Sequence, residues 1–247
     1  MDIQHLRLPA SFILLLVLGV VMSGCSSHAA PAGGHAGMNM GGASFDEPID
    51  LIPEALGSYS WPITTDSEAA QAYFDQGMQL RYAYNVNEAA RSMAEARRLD
   101  PQCAMCFWGE AFALGSFLNG GMSAEKAPLA HAAIVKAVEL SDDHADEMEK
   151  ALIRAAVVRY PEDYDPDNRR PVDEAFADAM ADVYAQYPDN HEVATVYAVA
   201  LFMLEERRGY RNVEDPALIH RHAVLTGVLE EDIRHPGACH LYIHATE

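Results

Sequence analysis

The sequence predicts an all-α fold, a stack of helix hairpins, and three observations carry that expectation. First, the stretch Tyr73 to Pro101 puts small residues, Gly77 and Ala89, where two helices must approach closely. Leu80 and Met93 stand at offsets that fill the groove between them. Second, Ala130, Ile134 and Ala137 repeat the offsets of Ala89, Met93 and Ala96. Third, Asp100-Pro101, Tyr187-Pro188 and His235-Pro236 fall in phase with such a repeat. Proline suits a first helical turn, where its missing N–H has no partner to lose.

The chain begins with a segment of a different kind. Residues 1–25 carry Arg7, an apolar run from Ser11 to Met22, and Met22-Ser23-Gly24-Cys25. The run is too short to span a bilayer, and the pattern resembles a bacterial lipoprotein signal peptide. The resemblance implies that Cys25 is lipidated. With Ser26 next, it implies attachment on the periplasmic side of the outer membrane, in the cell envelope. Residues 26–48 are a Gly-rich, flexible linker with little to bury. His28, His35, Met38 and Met40 within it are a compositional hint of copper binding, since imidazole and thioether suit Cu(I); an incidental composition is the plainer reading. Residues 49–67 form an irregular N-terminal cap, rich in Leu51, Ile52, Leu56, Tyr59, Trp61 and Ile63. Repeat arrays need such a cap to cover their exposed end. Thr65-Asp66-Ser67 supplies N-cap chemistry for the helix that follows.

The repeats are expected at 68–99, 101–140, 143–187 and 190–234, with the start of a fifth at 237–247. The first turns at Asn85 to Asn87, and Asp100-Pro101 caps and opens the next helix. Longer connections run from Gly115 to Pro128, from Pro161 to Pro171 and from Glu205 to Asp215.

Charge narrows the function classes. Lys and Arg number 17 against 37 Asp and Glu, a net charge of −20. Phosphate binding needs a basic face, so nucleic acid is a poor partner. Of four cysteines, Cys103, Cys106 and Cys239 remain if Cys25 carries lipid. An oxidising compartment then allows one disulfide and one free thiol.

Taken together, Tyr73-x2-Gln76-Gly77-x2-Leu80, Ala89-x3-Met93-x2-Ala96 and Pro101 resemble the tetratricopeptide repeat (TPR) pattern. From Gly57 to Glu247 the chain resembles bacterial TPR-containing proteins. The resemblance is carried by Trp61 to Thr65, Ala72 to Gly77, Asp100 to Cys106, Trp108-Gly109 and His235 to His244. Two places depart: Val86 stands where relatives commonly have histidine, and Gly115-Ser116-Phe117 where they commonly read Gly-Pro-Asn. The resemblance implies a TPR-like helical-repeat solenoid of about four helix hairpins. It also implies a chain that is an N-terminal fragment of a longer protein, and a protein or peptide partner on the concave face. Tyr73, Arg81, Tyr84, Trp108, Phe112 and Tyr197 are the residues expected to line that face.

Two clusters suggest chemistry. His240, His244 and Glu247 stand at i, i+4 and i+7, on one face of a helix, and His235, just before Pro236, is the candidate fourth ligand. Imidazoles and a carboxylate in that array suit copper or zinc; histidines bonded to neighbours in a groove are the alternative. The sequence is not H-E-x-x-H, so metalloprotease chemistry has no direct support. Cys103 and Cys106 form C-x-x-C at a helix start, open to a structural disulfide, packed thiols, or a redox or metal role. No G-x-S-x-G, P-loop or G-x-G-x-x-G is present, and no catalytic residue is assigned. The leading expectation is a membrane-tethered scaffold that binds a peptide or protein. The alternative is an extracytoplasmic metal-binding protein, with a metalloenzyme as its extension.

Overall fold

Ser67 opens the first helix. Its hydroxyl oxygen accepts from the Ala70 amide at 3.1 Å, satisfying one of the donors that every helix N-terminus leaves over. In the computed structural model of the chain, the described residues are 47–52, 56–118, 120–205 and 212–246. The expected signal segment with Cys25, and His28, His35, Met38 and Met40, lie outside them, as does Glu247.

The described residues are all-helical. The helices are α1 (Glu68–Tyr82), α2 (Val86–Leu99), α3 (Ala104–Leu114), α4 (Ala127–His144) and α5 (Glu147–Val157). They continue with α6 (Arg170–Gln186), α7 (His191–Met203), α8 (Pro216–Glu231) and α9 (Pro236–Thr246). None of them is long and apolar enough to cross a membrane.

Each helix packs on the next, and odd-numbered helices also meet across the pairs: α1 on α3, α3 on α5, α7 on α9. Composition explains which helices go inside. α3 (AMCFWGEAFAL) and α7 (HEVATVYAVALFM) have almost no polar face and are buried nearly all round. Close approach depends on small residues. A Cβ on Gly77 would stand 2.7 Å from Met93 Cε, and one on Gly109 would stand 2.5 Å from Met93 Sδ. Met93 of α2 therefore fills the space that two glycines, one on α1 and one on α3, leave open. Finally α9 packs on α1, so the row of helices closes back on its beginning.

Two helix boundaries differ from expectation. Pro101 does not open α3. Asp100 ends α2, its Oδ1 accepting from the Gln102 amide at 3.0 Å and its Oδ2 from the Thr65 hydroxyl at 2.5 Å. Cys103 is the cap of α3, its Sγ accepting from the Cys106 amide. The first connection is also earlier, over Ala83 to Asn85, because Tyr84 takes a φ of +64° and reverses the chain there. Pro236 does stand at the first position of its helix, as expected.

Candidate functional site

The last helix is placed by a glycine. A Cβ at Gly237 would lie 2.7 Å from Thr195 Cγ2 of α7 and 2.7 Å from Tyr82 Cε1 of α1. Without one, α9 settles against both. That contact sets His240, one turn further on, beside the end of α1. Its Nδ1 donates to the Tyr82 backbone carbonyl. A carbonyl can only accept, so His240 carries a proton on Nδ1, and in the neutral ring Nε2 is the nitrogen with the lone pair. His244, four residues on, brings its Nε2 to 3.0 Å from His240 Nε2. An imidazole held by Nδ1–H to a backbone carbonyl, with Nε2 aimed at a second imidazole, is the arrangement of an oriented metal ligand.

The loop after α3 supplies a wall. The Phe117 ring lies edge-on to His240, centroids 6.0 Å apart, and Tyr84 stands over Phe117 at 6.1 Å. Phe117 and Gly120 exchange backbone hydrogen bonds at 2.9 and 2.8 Å, which pins the loop. Two buried arginines brace it from behind. Arg81 Nη2 donates to the carbonyls of Gly115 at 2.9 Å and Ser116 at 3.1 Å, and Arg159 also donates to Ser116. Burial and the neighbouring Arg159 charge lower the Arg81 pKa to about 9. Among the described residues, the two non-glycine residues with positive φ, Tyr84 at +64° and Leu118 at +38°, belong to this wall. Backbone strain of this kind concentrates at functional sites.

His235 has a different job. Its Nδ1 accepts from the Ala238 amide at 3.1 Å and its Nε2 donates to Glu192 Oε1 at 3.1 Å. With both nitrogens committed, it caps α9, and the expectation that it joins the metal set is corrected. Glu192 is the hub of this second, buried group. Its Oε2 accepts from the Tyr82 hydroxyl at 3.4 Å. Burial first, and the Glu192 charge after it, hold the Tyr82 phenol well above its usual pKa; burial and the Tyr82 and Glu192 charges do the same for Tyr59. Tyr82 thus serves both groups, its carbonyl orienting His240 and its hydroxyl meeting Glu192. Among the described residues no three His, Cys, Asp or Glu side chains converge as a metal cluster.

The residues expected on a concave binding face are mostly inside. Trp108, Arg81, Phe112 and Tyr197 are 1%, 1%, 2% and 7% exposed, which corrects their assignment to a partner surface. The cause is the apolar girth of α3 and α7, which other helices cover from more than one side. Tyr73 is half-buried and donates its hydroxyl to the Ile49 carbonyl at 2.8 Å, so it ties down the N-terminal cap. Tyr84 alone of the six is exposed, at 41%. Cys103 and Cys106 are joined as a buried disulfide, and Cys239 is a free thiol.

Sequence reading picked out His240 and His244 by spacing but missed Tyr82, Phe117 and Glu192. Tyr82 is separated from His240 by 158 residues, and nothing local signals the pairing. The His235-Pro236 step was a readable sign, since a capping residue before a proline at the first helical position marks a helix start. Compared with known protein families, curated proteins and solved structures, the chain matches none.

Proposed function

We propose that this chain is an extracytoplasmic metal-binding protein, holding copper or zinc through the Nε2 atoms of His240 and His244. The convergence of those two nitrogens at 3.0 Å, with His240 fixed by Tyr82, carries the reading. His240 and His244 would hold the ion through their Nε2 atoms once the rings turn outward from this contact. To serve as a ligand, His244 would carry its ring proton on Nδ1 and leave the Nε2 lone pair for the ion. Imidazole ligands suit both copper and zinc, and further positions on the ion stay open for other donors. Glu247, three residues beyond His244 in the sequence, is the proposed third donor. Residues 1–25 and Cys25 support a lipid tether in the cell envelope, and the spacing of small residues and prolines supports a TPR-like array as the frame. The peptide-scaffold reading has less behind it, since four of its six side chains are in the core. Equilibrium dialysis of the protein and its His240→Ala/His244→Ala variant against copper and zinc tests the proposal.

A further inference from the structure

Glu192, which meets the Tyr82 hydroxyl, also lines a cavity. This cavity, of about 460 Å³, opens between the cap segment at Ser58 to Ser60, the start of α7 and the turn from α8 to α9. That volume is within the usual range for small-molecule pockets. Its charged lining is unevenly matched. Glu192 and Asp232 are its carboxylates, and Arg234 is the lysine or arginine among its lining residues. Glu192 is 9% exposed and is kept in place by His235 Nε2 and the Tyr82 hydroxyl. The N-terminal turn of α7 favours its negative charge. Arg234 is exposed, and among the described residues its guanidinium makes no hydrogen bond or ion pair, whereas Arg97, Arg169, Arg170 and Arg221 each hold a carboxylate. Tyr59 adds an aromatic wall, edge-on to His235 at 5.5 Å. An aromatic face beside a carboxylate is the pairing that recognises an ammonium group.

We propose that this cavity binds a free basic amino acid. Its α-carboxylate meets Arg234 at the rim, and its two cationic groups meet Glu192 and Asp232. Two carboxylates against one guanidinium leave an excess of one negative charge, which a ligand of net charge +1 with its own carboxylate matches. An acidic amino acid would set its extra carboxylate against Glu192 or Asp232. A plain diamine would leave Arg234 unpaired. The site uses neither His240 nor His244, so it stands apart from the metal reading.

The test is calorimetric titration of the full chain with L-lysine in the presence of a chelator, with L-glutamate and 1,5-diaminopentane as comparison probes. Binding of L-lysine is expected, with none of L-glutamate and weaker binding of the diamine. Free L-lysine at roughly five times its Kd should raise Tm by about 2–4 °C. Arg234→Ala, an exposed change that leaves the core intact, is expected to weaken L-lysine at least about tenfold and leave the diamine unchanged, as loss of a charge-assisted contact to a carboxylate should. Ser58→Trp, which fills the mouth from the exposed cap, should abolish both. Absence of L-lysine binding by the folded parent at millimolar concentration would overturn the proposal. Equal binding of L-glutamate, or L-lysine binding that survives Arg234→Ala, would overturn it too.

Discussion

His240 donates its Nδ1–H to the backbone carbonyl of Tyr82, a residue 158 positions earlier in the chain. This one bond joins the last helix to the first and sets the tautomer on which the proposed site depends. Gly237 makes the approach possible, since any Cβ there would press on Tyr82 and Thr195. Gly237→Ala is therefore expected to lower stability by about 1–3 kcal/mol, the usual cost of overpacking. A Tm loss of roughly 2–4 °C per kcal/mol in calorimetry reads the change. Metal affinity should fall with it, because His240 loses its anchor.

The core between the first two hairpins rests on Met93 lying against two glycines. Gly109→Ala is expected to be costlier than Gly77→Ala. At Gly77 the three nearest atoms all belong to the flexible Met93 side chain, whereas at Gly109 the Phe74 ring, 3.0 Å away, adds to it. Chemical denaturation of both variants should show Gly109→Ala losing about 1–3 kcal/mol and Gly77→Ala less.

The Cys103–Cys106 disulfide closes a short loop at the start of α3 and is buried. By loop closure a cross-link this short contributes about 2 kcal/mol. The double serine variant should lose about that much on denaturation. Thiol titration of the native protein in the absence of reductant should leave Cys103 and Cys106 unreactive and find Cys239 reactive.

Three phenols report on the core at alkaline pH. Burial raises the pKa of Tyr59, Tyr82 and Tyr160 above the ordinary tyrosine value. In the unfolded chain they ionise near pH ~10. The folded state then holds more protons than the unfolded one, so stability falls as pH rises beyond that point. Below it the contribution is fully present. Thermal melts from neutral to strongly alkaline pH should show Tm dropping above pH ~10, with the buried phenols ionising only as the fold is lost.

The parts of this structure that were legible in the sequence are those with short-range causes. Gly77, Ala89 and Met93 were readable because helix packing needs small residues at fixed offsets, and Met93 does fill the space over Gly77. His240 and His244 were readable because four residues make one helical turn. Trp108, Phe112 and Tyr197 were misplaced because an array was assumed to show its inner helices to solvent. Their own segments carried the contrary sign, since α3 and α7 have nearly no polar side to present. Tyr82 and Phe117 were illegible for another reason. They meet His240 only because α9 returns to α1, and no local pattern encodes that closure.

The most direct test of the metal proposal is equilibrium dialysis against copper and zinc, in a background where His28, His35, Met38 and Met40 are alanine. Elemental analysis would follow, for that protein and for the same protein with His240→Ala and His244→Ala. One equivalent of copper or zinc per chain is expected in the first and none in the second, with both equally helical. A folded parent without metal, or an equal metal content in both proteins, would contradict it.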